Sequence, residues 1–167
     1  MGHGDRDQLV GEPTEHGDAY TVLGRPTGTI SEQERRRLER QADVFASLAT
    51  WTFDALQLAS AASLLEMGSG NGSLLAAAAE RVGPTGRIVG VDRDPRSLDV
   101  ARIRMIPFPW VEIVEADARS YDPPGERFDA VHCRLVLMHQ HAPDDLVARM
   151  VALTRSGGQV AAQEYDA

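Results

Sequence analysis

From residue 63 onward the chain alternates short apolar runs with stretches of helical pattern, and that alternation constrains the fold more than any other feature. The apolar runs are Ser63 to Met67, Arg87 to Asp92, Val111 to Glu115, Phe128 to Arg134 and Gln159 to Glu164. Between them, Ser73 to Arg81 reads as a helix, Gly83-Pro84-Thr85-Gly86 as a turn, and Pro143 to about Thr154 as a further helix. Asp94-Pro95 opens another helix, to about Arg104. The aspartate can accept from orphan N–H groups as N-cap, and a proline at the first helical position has no N–H to leave unpaired. Strand-helix-strand alternation of this kind implies a parallel sheet covered by helices on both faces. With 167 residues there is room for one domain with a real core, and two stacked domains are not expected.

The first 62 residues read differently. Residues 1 to 29 are rich in Gly, Pro, Thr and charge, show no period, and read as a mobile lead-in. Residues 30 to 62 read as amino-terminal helices. Ser31-Glu32-Gln33-Glu34 forms a capping box behind Ile30, and Leu38, Ala42, Phe45 and Ala49 then recur on one helical face. A second short helix is expected from about Trp51 to Ala61.

Composition removes several function classes. All 17 basic residues are arginine, so Schiff-base chemistry, a lysine general base and a P-loop lysine are excluded together. A net charge of −8 repels phosphate backbones, so no nucleic-acid partner is expected. Cys133 is the sole cysteine, which leaves no disulfide framework or cysteine metal site and fits a reducing cytoplasm. The first residues lack the apolar segment of a secretory signal, position 6 is Arg where myristoylation needs Ser or Thr, and no membrane span is expected.

The most informative segment is Leu64-Leu65-Glu66-Met67-Gly68-Ser69-Gly70-Asn71-Gly72-Ser73, an apolar strand running through three alternating glycines into a helix. Glycines at that junction let the backbone turn sharply and approach a ligand beside the helix N-terminus. A dinucleotide fingerprint, G-x-G-x-x-G, would place its third glycine at position 73, which is serine; the glycine here is at 72. Twenty positions after Gly72 comes Asp92, at the end of the second strand, where a carboxylate can accept both hydroxyls of a ribose.

Here the sequence resembles the class I S-adenosylmethionine-dependent methyltransferases. Glu66 to Gly72 is similar to that family's first motif and Val89-Gly90-Val91-Asp92 to its second. Glu115-Ala116-Asp117-Ala118 is similar to the third, and Arg155-Ser156-Gly157-Gly158 to the turn before the fifth strand. The resemblance covers about 20 to 167 and is closest to bacterial small-molecule members. It implies a Rossmann-like parallel sheet of order 3-2-1-4-5 and S-adenosylmethionine as cofactor. Gly68, Ser69, Gly70 and Gly72 would then pack against its methionine part, with Glu66 orienting the ammonium. Asp92 would hold the ribose, with Arg93 alongside; Asp117 would accept from the adenine amino group, and the Ala118 backbone would meet the ring. Arg134 would line the methionine end, while Gln41 and Tyr20 belong to an amino-terminal segment that caps the cofactor in similar proteins.

Each assignment has a plainer counterpart. The glycines could serve packing alone, Asp117 could be a loop carboxylate, and Arg134 could pair with a surface acid. Cys133 reads as an inert core thiol. His139 and His141 lie two apart, but no Cys or second histidine pair completes a metal site, so none is expected. His139 is instead the candidate general base, needed only for a poorly acidic acceptor hydroxyl. Asp122-Pro123-Pro124 resembles part of the motif of amino-group methyltransferases, yet it precedes the fourth strand and continues into Gly125, so it reads as a loop. Its absence after the fourth strand, where the chain reads Arg134-Leu135-Val136-Leu137, favours a small-molecule substrate.

The family's sheet usually continues past the fifth strand into a final antiparallel pair, which this sequence does not contain. The expectation is a domain truncated after the fifth strand, with an exposed edge that could form a homodimer. A cofactor-binding but catalytically incomplete protein is the alternative to an active methyltransferase.

Overall fold

The computed structural model describes residues 49–125 and 127–164. The expected amino-terminal lead-in, the expected Ser31 capping box, and Tyr20 and Gln41, expected to cap the cofactor, lie outside the described residues.

Five strands form one sheet: β1 (Ser63–Met67), β2 (Arg87–Asp92), β3 (Val111–Glu115), β4 (Phe128–Arg134) and β5 (Thr154–Gln163). Their order is β3-β2-β1-β4-β5, and every pairing is parallel, as the alternation and the resemblance predict. The helices are α1 over 49–55, α2 (Ser73–Val82), α3 (Pro95–Arg104) and α4 (Pro143–Leu153), with a 3-10 turn at Leu137–His139. Asp94 caps α3 as expected: its carboxylate accepts from the Arg96 and Ser97 N–H groups, with Pro95 in the first turn.

The two faces of the sheet are sealed separately. On one, Leu74, Leu75, Ala78 and Val82 of α2 and Phe53 of α1 pack with Leu64, Ile88 and Ala130. On the other, Leu146, Met150 and Leu153 of α4 pack with Leu65, Val89, Val131 and Cys133. A Cβ on Gly90 would stand 2.4 Å from Leu75 Cδ1, so a glycine in mid-strand is what lets α2 lie this close to β2. Asp129 ties the bottoms of β1 and β4 together by accepting from the Ser63 N–H and hydroxyl, each at 2.7 Å. Its carboxyl is held down at about 2 by those bonds and by Arg155.

Three sequence expectations are corrected. The second amino-terminal helix ends at 55, not Ala61, because Gln57 and Ala61 take positive φ (51° and 62°) and the chain turns instead. The fifth strand begins at Thr154 rather than Gln159. The expected turn at Arg155 to Gly158 is absorbed into it as an irregularity, since Phe128 pairs with Thr154 while Ala130 pairs with Gln159. Gly157, at φ 76°, takes up the three extra residues of that bulge.

Candidate functional site

In a parallel sheet with this order, the carboxyl ends of β1 to β4 open into one crevice beside the point where the strand order reverses. The loop from Gly68 to Gly72 crosses that crevice with Gly68, Gly70 and Gly72 all at positive φ (78°, 52° and 72°). Gly68 has a second constraint, because an added Cβ would lie 2.4 Å from Val136 Cγ2 in the loop after β4. At Gly70, by contrast, an added Cβ would meet nothing within 4 Å, so this turn of backbone faces open space.

Asp92 organises the loop from β2. Its Oδ2 accepts from the Gly70 N–H at 2.7 Å and its Oδ1 from the Asp94 N–H at 2.9 Å, so one carboxylate spans the first and second motifs. Asp92 O also accepts from the Ala116 N–H, which brings the third motif to the same edge. There Asp117 is engaged by its neighbour Arg119, whose N–H and guanidinium both donate to it. Those bonds hold the Asp117 carboxyl down at about 2. Ala118 follows, half-buried, and Arg93 is exposed but close enough for its charge to act on Asp117.

Glu66 is the unusual member. It is 2% exposed, its Oε2 finds no hydrogen-bond partner among the described residues, and burial pushes its carboxyl up to about 8. Arg134 works against that rise and Asp92 adds to it. Ser69 Oγ is likewise buried without a partner. Arg134, at the end of β4, donates to the Ser73 hydroxyl at 3.1 Å, which brings it toward the start of α2.

The loop after β4 is held from β5. Leu135 is in the left-handed region (φ 55°), and Glu164 Oε1 accepts from the N–H groups of both Val136 and Leu137, at 3.0 and 2.8 Å. His139 and His141 are exposed, and no metal-ligating cluster occurs among the described residues. Cys133 is buried, its thiol pushed up to about 12 chiefly by burial, as an inert core thiol should be. The segment Asp122-Pro123-Pro124 is loop, with Asp122 paired to Arg149.

The structure thus brings Glu66, Ser69, the three glycines, Asp92, Asp117, Ala118 and Arg134 to one edge of the sheet. Sequence reasoning missed Glu164, Arg119 and His132. A histidine inside the otherwise apolar run Ala130 to Cys133 was the available signal for the last.

The orphaned acidic group, the buried hydroxyl, the backbone open at Gly70 and the β2 carboxylate fit a ligand with a cationic end and a diol. A family model described as a methyltransferase domain matches residues 64–158. The chain therefore belongs to the methyltransferase-domain family, and its fold and motifs are those of the class I S-adenosylmethionine-dependent enzymes. It is 32% identical over 99 residues to a Thermoplasma volcanium protein named "Probable cobalt-precorrin-6B C(15)-methyltransferase (decarboxylating)", covering 58% of this chain and 47% of that one. It is 27% identical over 155 residues to the ubiquinone/menaquinone biosynthesis C-methyltransferase UbiE of Pseudomonas savastanoi pv. phaseolicola, covering 80% of this chain and 60% of that one. Among solved structures, the plantazolicin methyltransferase BpumL in complex with SAH superposes with a TM-score of 0.61 at 15% identity, covering 81% of this chain and 55% of that one. The chain spans about half the length of the curated relatives it matches.

Proposed function

We propose that this protein binds S-adenosylmethionine at the carboxyl edge of β1 to β3 and transfers its methyl group to a small-molecule acceptor. The observation that carries the reading is Glu66, an orphaned, buried carboxyl two residues before a glycine loop whose N–H is already gripped by Asp92. Glu66 would meet the ammonium of the cofactor, Asp92 its ribose hydroxyls, and Asp117 with Ala118 its adenine. Arg93 would flank the ribose, while Gly68, Ser69, Gly70 and Gly72 would line the methionine part.

When bound, the cofactor supplies an electrophilic methyl group on a sulfonium. The chain's contribution is alignment and exclusion of water, because in-line displacement from a good leaving group requires no covalent intermediate. Arg134, anchored on Ser73, would border the methionine end, and the Val136 side chain packs over Gly68 to close the loop from above. His139, exposed on the turn after β4, would take a proton only from an acceptor hydroxyl.

A small acceptor is supported by the substrates that the two relatives' names carry, by the net charge of −8, and by the missing amino-methyltransferase motif after β4. No helix among the described residues is long and apolar enough to cross a membrane. The test is calorimetric titration with S-adenosylhomocysteine, followed by a methyl-transfer screen over small hydroxyl, amine and activated-carbon acceptors. Saturable binding and turnover with one class are expected; no binding overturns the proposal, and binding without turnover leaves a cofactor-binding protein in its place.

A further inference from the structure

Strand register places two buried polar side chains and a glycine in one row. Gly90 of β2 pairs with Glu66 of β1, which pairs with His132 of β4. Ser69 Oγ lies 3.0 Å from where a Cβ on Gly90 would stand, so its hydroxyl shares with Leu75 Cδ1, at 2.4 Å, the space that a β2 side chain would take. His132 is fully buried and neither ring nitrogen has a hydrogen-bond partner among the described residues. Its Nδ1 is 3.9 Å from Glu66 Oε1, too long for a hydrogen bond but within reach after a small rotation of either side chain. Ser69 Oγ, Glu66 Oε2 and both His132 nitrogens therefore form a tract of four orphaned atoms, each of which burial penalises while it stays unpaired.

Among the described residues, the other titratable and charged groups near the tract are few. Arg134 stands at the end of β4 and Asp92 at the end of β2, and both act on Glu66. On the helices packed against this face of the sheet, Asp54 of α1 and Arg81 of α2 neutralise each other at 2.7 Å. On the β5 side the charge is Glu164, which with Glu66 raises the Cys133 thiol.

We propose that His132 is a positioning residue for the cofactor's charged end, donating its Nδ1–H to Glu66 Oε1 so that Oε2 faces the ligand ammonium, and that ligand entry expels one proton from this pair. The proposal rests on the function reading above. Before binding, the carboxyl keeps its proton because a bare carboxylate beside a neutral imidazole has nothing to compensate burial. The ammonium supplies that compensation, the carboxyl ionises, and its proton passes to solvent while the imidazole stays neutral. Burial already favours the neutral imidazole, holding it near 4.

The experiment is calorimetry of the full chain with S-adenosylhomocysteine at pH 7 in phosphate and in Tris, whose different ionisation heats report protons released. The expected release is close to one proton, and affinity should rise about tenfold per pH unit from 6 toward 8. Adenosine, which lacks the ammonium, should bind with no release. His132→Leu should weaken S-adenosylhomocysteine about tenfold or more while leaving adenosine unchanged, and His132→Asn, which puts an N–H near the Nδ1 position, should restore most of the loss. Melting curves of both variants check that they fold, and the wild-type proton count needs no variant. Binding without proton release, or equal weakening of both ligands by His132→Leu, overturns this inference alone. Absence of any binding overturns the function reading and this inference with it.

Discussion

Replacing Glu66 by Gln should stabilise the ligand-free protein, and the gain should depend on pH in a way the structure specifies. An unfolded glutamate ionises near 4.5, whereas in the folded chain burial holds the group at about 8. Between those values the folded state binds more protons than the unfolded state, so stability falls as pH rises. His132 acts in the opposite sense: it titrates near 6.5 when unfolded and about 4 when folded, so stability rises with pH over that range. From 4.5 to 6.5 the two slopes cancel. From 6.5 to 8, of these two groups only Glu66 titrates, and at 1.36 kcal/mol per unit its contribution to wild-type stability should fall by about 2 kcal/mol. Asp117 and Asp129, both lowered to about 2, titrate below this window and do not disturb it. Glu66→Gln removes one slope, so the variant's advantage over wild type should grow by about 3 kcal/mol between pH 4.5 and 7. Urea unfolding of both proteins at pH 4.5, 5.5, 6.5, 7 and 8 measures it, and comparing differences cancels any constant effect of the amide. An advantage that stays constant across pH would mean that Glu66 is ionised or hydrated in the native state, and the reasoning would fail.

Gly68→Ala should destabilise the chain by about 2 kcal/mol, from left-handed strain and the 2.4 Å approach to the stiff Val136 side chain. Thermal melting measures this, and adding Val136→Ala should recover part of the loss but not the strain. Asp92→Ala removes the acceptor of the Gly70 and Asp94 N–H groups, and should lower S-adenosylhomocysteine affinity more than tenfold in an equilibrium titration. Glu164→Ala frees the N–H groups of Val136 and Leu137, so amide exchange at those two positions should accelerate while the β1 amides keep their protection. Unchanged exchange at 136 and 137 would show that Glu164 does not hold the loop.

Much of the architecture was legible because it is written locally. Each of β1 to β4 is a short apolar run bounded by turn residues, and Asp94-Pro95 announces α3 through a cap that involves only neighbours in sequence. β5 was misread at its start because a glycine pair following Thr154 looks like a turn, and only pairing with β4 shows that the chain has already joined the sheet. The end of α1 was misread for the same kind of reason. Its apolar residues continue to Leu58 with helical character, but the backbone at Gln57 reverses so that Leu58 can enter the core and Arg81 can donate to its carbonyl.

By itself the sequence determined the strand segments, and its resemblance to a known family supplied the sheet order. The spacing of the glycines within their loop, with the third at 72 and not 73, also set this sequence apart from a dinucleotide fingerprint. These follow from periodicity and from backbone conformations that only glycine adopts readily, both properties of contiguous residues. The tertiary structure alone decided which distant side chains share an environment. Parallel register sets His132 beside Glu66, 66 positions away, folding brings Glu164 to the loop after β4, and Asp129 is clamped to Ser63. Burial then gives those meetings their chemistry, because a carboxyl and an imidazole that titrate near 4.5 and 6.5 in water exchange their order once both are removed from solvent.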